Sequence, residues 1–182
     1  MAWVQKVVTD QFTVSKYTDV VGNSNHVILI NGPFGNPKSA NNAITALLTA
    51  KENDTVKIIV NSIGGNVLTL EMFSAAMATC KAKVTVRAAG LAASCGGFIL
   101  FEGNTTEIGK ASKIVFHNMS VGVNTNAGFV KDWLTVFEDK LEYYAAKVRK
   151  NGAINEQELE AMVANKLDMY FTYNDMKARG IA

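Results

Sequence analysis

Ser94 stands in the stretch Gly90-Leu91-Ala92-Ala93-Ser94-Cys95-Gly96-Gly97, where a β-type run ends and six of eight residues are Gly, Ala or Ser. Small residues let backbone approach backbone or ligand closely, and a hydroxyl at a strand-to-helix turn is where hydrolases of several folds keep a nucleophile. That chemistry needs a base to take the hydroxyl proton, a carboxylate to orient the base, and donors for a developing oxyanion.

Two histidines compete for the base. His26 follows a turn at the start of a strand, which reads most simply as a surface or strand-opening residue. His117 ends a strand past the serine and opens a Gly-rich loop, where catalytic groups of open sheets tend to sit. Spacing does not choose among the seven aspartates. Asp132 and Asp139 lie among Lys131 and Lys140 on a helix and read as solvated charges. Asp168 sits in the apolar run Leu167-Asp168-Met169-Tyr170-Phe171, either as a candidate orienting acid or as a helix-terminal residue with one side in water. For the oxyanion, the N–H of Cys95 falls at a helix start, where free N–H groups favour an anion. Gly65, in the pair Gly64-Gly65, could supply a second donor or be part of a plain tight turn. The Cys95 thiol is itself a possible nucleophile, but a small structural residue fits its apolar surroundings better.

The elements that must carry these residues alternate. Residues 1–25 are β-flavoured but irregular and read as an N-terminal arm, closed by Gly22-Asn23-Ser24-Asn25. Residues 26–31 form a short β-branched run that suits a strand buried on both faces. A helix follows over 38–53, a strand over 56–60, and a helix over 67–81 with Leu68, Met72, Ala75 and Ala76 on its inner side. The third strand, 83–87, runs into the serine stretch, and 95–101 reads as a buried helix because Phe98, Ile99, Leu100 and Phe101 leave no polar face. Three strand–helix units in succession predict a parallel sheet with right-handed crossovers. Two short strands, 105–108 and 113–117, come next, then a segment 120–128 that reads as loop or edge strand. Phe129, Trp133, Val136, Phe137, Leu141, Tyr144 and Val148 step by three or four and predict a long amphipathic helix ending at Asn151-Gly152. A charged helix over 155–165 and a short last helix opened by a capping box at Thr172-Tyr173-Asn174-Asp175 complete the chain.

Composition bounds the rest. The 182 residues suit one domain, and 48% hydrophobic with 19% charged residues describes an ordinary globule. A net charge of +2 with scattered basic residues argues against nucleic acid. Two cysteines without a Cys-x-x-Cys or nearby paired histidines predict no metal site, and no phosphate-binding or dinucleotide glycine motif calls for a cofactor. No apolar run approaches the roughly 20 residues of a bilayer span, and no basic-then-apolar leader opens the sequence, so a soluble cytoplasmic protein with no membrane partner is expected.

Taken together, Asn61-Ser62-Ile63-Gly64-Gly65, Gly90-Leu91-Ala92-Ala93-Ser94, Ile114-Val115-Phe116-His117 and Asp168, with Gly180 twelve positions later, resemble the proteolytic subunit of the Clp protease from about residue 26 to 181. The resemblance implies a Clp-type, crotonase-like α/β fold: repeated ββα units in a mainly parallel sheet flanked by helices, forming one catalytic domain over 26–182 after the arm. It implies Ser94 as nucleophile, His117 as general base, Asp168 as orienting acid and the N–H groups of Gly65 and Cys95 as oxyanion donors. A substrate peptide would lie as an added strand against Gly64, Asn66 and Val67 on one side and Met119, Ser120 and Val121 on the other. The long helix would protrude as part of a handle, about 118–150, between stacked rings, heptamers paired as a tetradecamer, served by a separate AAA+ unfoldase.

Three positions depart from the family's pattern: Ile63 replaces the usual proline, and Asn118-Met119 replaces Gln-Pro. His-Asn is closer to the phage head-maturation proteases of the same fold. A non-catalytic ring component and an acyl-CoA hydratase or isomerase are the other readings. The last would need a glutamate near the pocket, and the connection after Gly65 offers only Glu71, placed on the outer helix.

Overall fold

The structure, a computed structural model, describes residues 5–8, 11–118 and 127–182. The alternation expected from the sequence builds a sheet of eight strands among these residues. β3 (Ser24–Asn31), β4 (Thr55–Ser62) and β5 (Lys83–Ala93) run parallel, linked by α1 (Asn41–Thr49) and α2 (Val67–Thr79). β6 (Thr105–Ile108) and β7 (Lys113–Phe116) both add in parallel to β5, β6 along Thr85–Ala88 and β7 along Leu91–Ala93. One long strand thus serves two partners, and its second half leads directly into Ser94.

The segment expected as an arm contains β1 (Gln5–Val8) and β2 (Phe12–Thr18), and β2 pairs antiparallel with the whole of β3. Phe12 is 1% exposed and stacks edge-on to Phe34, 6.1 Å between centroids, and against Phe73 at 5.5 Å. That stretch is therefore one side of the sheet and part of the core. At the other side, β8 (Met169–Thr172) pairs antiparallel with β7. The sequence reading gave no strand there. Four residues on an edge carry no periodicity of their own, and pairing with β7 is what makes them a strand.

β3 is not buried on both faces. Ile28 and Ile30 are covered by the helices, whereas Leu29, between them, is exposed on the opposite face. The inner side of α2 is partly turned from the expected one: Ala76 is buried and Met72 packs against the core as expected, but Leu70, Phe73 and Met77 are also buried, and Leu68 and Ala75 are exposed. The buried positions still step by three and four, so the period was legible, but an apolar helix of this kind has several faces that satisfy it. The helix expected over 95–101 is present as α3 (Cys95–Phe98) running into a 3-10 turn (Ile99–Phe101), all of it buried.

α4 (Ala127–Lys150) is the long helix. Its last turns rest on the body through Leu141, Tyr144, Ala145 and Val148, and among the described side chains Leu134 and Val136 are exposed. Tyr144 faces Phe98 at 5.8 Å, and Phe98, Phe116 and Phe171 form a second aromatic cluster beneath the ends of β5, β7 and β8. α5 (Glu156–Val163) and α6 (Tyr173–Ala178) follow, both opened by capping boxes. Among the described residues no helix is long and apolar enough to cross a membrane.

His26 is not a surface residue. It is 4% exposed on β3, its Nε2 lies 3.7 Å from Asp54 Oδ2, and that nitrogen has no hydrogen-bond partner. Burial, assisted by the Lys16 charge on the paired position of β2, holds its pKa below the usual 6.5, although Asp54 pulls the other way. The unfolded chain therefore takes up this proton first. Its contribution to stability is complete above about pH 6.5 and is lost as the pH falls through the lower folded-state value. Denaturant melts over a pH series are expected to show wild-type stability falling below about pH 6.5 and His26→Gln falling less; parallel curves would refute the assignment.

Candidate active site

The sheet brings its chemistry-bearing residues to one edge. Gly64-Gly65 follow the end of β4, Ser94 follows β5 and His117 follows β7, all at carboxyl ends of parallel strands, where open α/β sheets bind ligands. Asp168 reaches the same edge because β8 runs the other way: Phe116 pairs with Met169, and Asp168 and His117 are the next residues outward on their strands.

Ser94 is fixed by main-chain bonds on both sides. Its N–H donates to Val115 at 2.9 Å, and its carbonyl accepts from Gly97 and Phe98 at 2.8 and 3.0 Å, closing the first turn of α3. Its φ of 55° and ψ of −125° lie outside the helical and left-handed wells, a conformation that costs a non-glycine residue roughly 1–3 kcal/mol. The tight reversal leaves the side chain at the head of the turn.

Gly64 lies directly against it. A Cβ on Gly64 would fall 2.4 Å from Ser94 Cβ and 2.8 Å from the Ala93 carbonyl oxygen, and φ is +93°. Gly65, at φ +139°, would meet the Phe34 carbonyl oxygen at 2.4 Å. Only glycine satisfies both the backbone angle and the approach at these two positions.

The turn's polar groups can be followed one by one. Gly64 N–H donates to Ser62 Oγ at 3.1 Å; Gly64 C=O accepts from Phe34 N–H at 2.7 Å; Asn66 N–H donates to Phe34 C=O at 2.7 Å. Gly65 C=O accepts from the Cys95 thiol at 3.3 Å. Among the described residues the Gly65 N–H has no acceptor, and because its peptide is planar and trans with the carbonyl turned to Phe34, that N–H points to the other side. Cys95, as the first residue of α3, also has an N–H without an intrahelical acceptor. Its thiol is 5% exposed and burial pushes its pKa up to about 11. It stays protonated at neutral pH, which suits a hydrogen-bond donor and not a nucleophile.

His117 is half-buried, and its Nδ1–H donates to the Asn118 carbonyl. The neutral ring then carries its lone pair on Nε2. Asn118 is tied in turn to Val163 C=O at 3.2 Å. Asp168 is exposed and accepts from the Tyr170 hydroxyl at 3.1 Å. His117, Asn118 and Asp168 line one end of an open groove of about 990 Å³ between α4 and α5. Among the described residues no hydrogen bond joins Ser94 to His117 or His117 to Asp168. The structure therefore gathers the three residues at one edge and gives each a different immediate partner.

Asn66 caps α2 by accepting from Leu68 N–H at 2.9 Å, and Val67 is the first residue of that helix. Met119, Ser120 and Val121 lie outside the described residues. Asp132 and Asp139 are exposed on α4, and Glu71 on α2 is paired with Lys140 of α4. Sequence reasoning did not find Ser62, Phe34 or Tyr170. Ser62 lay inside a quoted motif, whereas Phe34 acts through its main chain, which leaves no residue-type signal.

A mixed α/β sheet flanked by helices, with a strained serine and glycine turn at its carboxyl edge, is the architecture of the crotonase-like fold. The chain belongs to the Clp protease family, whose model, described as Clp protease, matches residues 13–181. Membership places it among peptidases of the Clp type, a family that generally forms oligomeric rings. No curated protein matches the chain.

Proposed function

We propose that the chain is a serine endopeptidase that cleaves peptides or unfolded proteins inside an oligomeric chamber. Ser94 Oγ attacks the scissile carbonyl while His117 Nε2 takes its proton; the oxyanion is held by the N–H groups of Gly65 and Cys95; the His117 proton passes to the leaving amine; and water releases the acyl-enzyme by the same steps. Asp168 orients His117 when the ring's Nδ1–H turns from the Asn118 carbonyl toward it. The observation that carries this reading is Ser94 held in a strained turn against Gly64, one residue from the Gly65 N–H, which has no acceptor among the described residues.

The substrate lies as an extended strand beside Gly64, Asn66 and Val67 and, across from it, Met119 to Val121, so that main-chain pairing gives affinity with little sequence demand. The projecting part of α4 supplies contact between two rings, taken to be heptamers, and a cytoplasmic AAA+ unfoldase feeds them.

Treating the purified chain with a fluorophosphonate probe and mapping the adduct by mass spectrometry is expected to find it on Ser94. A folded chain labelled elsewhere, or not at all, overturns the reading. Light scattering on the same sample tests the chamber, because a labelled species of about 19.7 kDa keeps the chemistry and discards the rings.

A further inference from the structure

The two proposed oxyanion donors sit on separate segments, one after β4 and one opening α3, 30 residues apart in sequence. An oxyanion hole works only when both N–H groups are already aimed at one point, so something must hold the segments in register. On the Gly65 side, Ser62 and Phe34 take the Gly64 N–H, the Gly64 carbonyl and the Asn66 N–H. The remaining group, the Gly65 carbonyl, receives its hydrogen bond from the side chain of the other donor residue.

We propose that Cys95 is a positioning residue: its thiol, bonded to the Gly65 carbonyl, couples the two halves of the oxyanion hole. Three observations support this. The thiol is buried, and burial keeps it protonated and able to donate. It crosses between the segments at 3.3 Å, a normal reach for sulfur. The peptide it holds is the one immediately after the Gly65 N–H, at a glycine whose φ of +139° no side chain of its own stabilises. Without the thiol the Gly65–Asn66 peptide keeps only the Phe34 bond on one side, and Gly65 has the freedom of a glycine to turn. The role rests on the serine-peptidase reading above.

Its test compares Cys95→Ala with Cys95→Ser in the full chain on a short peptide substrate. Removing one oxyanion donor outright typically lowers kcat 10²–10³-fold, and a donor left in place but loosely held is expected to lose about tenfold. Cys95→Ala is expected to lower kcat about tenfold with KM changed less than about threefold, and to slow fluorophosphonate labelling of Ser94 in parallel. Cys95→Ser, which keeps a donor, is expected to recover most of kcat, with melting temperatures separating any loss of fold from loss of rate. The S–H stretch in the Raman spectrum gives a readout independent of turnover: wild type is expected to show a hydrogen-bonded thiol that Cys95→Ala removes, leaving only that of Cys80.

Cys95→Ala with wild-type kcat and labelling overturns the proposal while leaving Ser94 as nucleophile. Equal loss in both variants at unchanged melting temperature overturns the hydrogen bond as the cause, since volume alone would then matter. A free S–H stretch for Cys95 in wild type also overturns it. A wild-type chain that neither labels at Ser94 nor turns over substrate sinks the serine reading, and this role with it.

Discussion

Replacing Ser94 with alanine is expected to lower turnover about 10⁴–10⁶-fold while the chain still folds and assembles, because the reaction then has only bound water and the oxyanion donors. Comparing alanine with glycine at this position separates chemistry from backbone. Alanine keeps the cost of φ 55°, ψ −125°, whereas glycine removes it. The strain of roughly 1–3 kcal/mol is offset by the roughly 0.5–1 kcal/mol of extra unfolded-state entropy that glycine brings. Ser94→Gly should therefore be as inactive as Ser94→Ala but more stable by about 1 kcal/mol, a melting temperature some 2–4 °C higher for a chain of this size. Calorimetry on the two variants decides it: equal melting temperatures mean that the turn holds no strain, and retained turnover in either removes Ser94 from the chemistry.

The second large effect belongs to Gly64→Ala. The added methyl would fall 2.4 Å from Ser94 Cβ and 2.8 Å from a main-chain oxygen, and neither is the end of a flexible side chain. Either the β4–α2 connection or the Ser94 turn must move. Misplacement of about 1 Å at a reacting group costs on the order of 10²-fold, and here nucleophile and donor move apart together, so a loss of about 10³-fold in kcat is expected. Stability should fall by roughly 3 kcal/mol, combining the positive φ with the clash. Gly22→Ala is the control: its φ is also +93°, but nothing lies within 4 Å of the added Cβ. It is expected to cost only about 1 kcal/mol and leave turnover unchanged. Equal behaviour of the two variants would show that the approach of Gly64 to Ser94 is looser than described.

Much of the fold was legible because it is local. The capping box at Thr172 forms as expected, with Asp175 Oδ2 accepting the Thr172 N–H at 2.7 Å, since both partners lie within one turn. The order of strands and helices from 24 to 150 follows from apolar periods that the chain carries within each segment. What was misread depends on partners far away. β2 looked irregular until β3 paired with it, β8 until β7 did, and the inner face of α2 was decided by where Phe12 and Phe34 meet Phe73. His26 looked superficial because nothing nearby in sequence announces Asp54 beside it.

The same division runs through the site. Residue type and order alone singled out Ser94 and put forward His117, Gly65 and Cys95, because a hydroxyl in a run of small residues, a scarce histidine and paired glycines are visible without a structure; the choice of Asp168 and the assignment of roles came with the family resemblance. Only the tertiary structure decided that all of them lie at one edge of the sheet, that Phe34 turns the Gly65 N–H outward, and that the Cys95 thiol reaches the Gly65 carbonyl. It also decided that His117 and Asp168 hold Asn118 and Tyr170. Spacing along a chain cannot specify the contacts of Phe34 and Cys95, because they are hydrogen bonds between segments whose relative position is set by strand register and by the packing beneath them, and the local bonds of His117 and Asp168 depend on the backbone turns where those strands end.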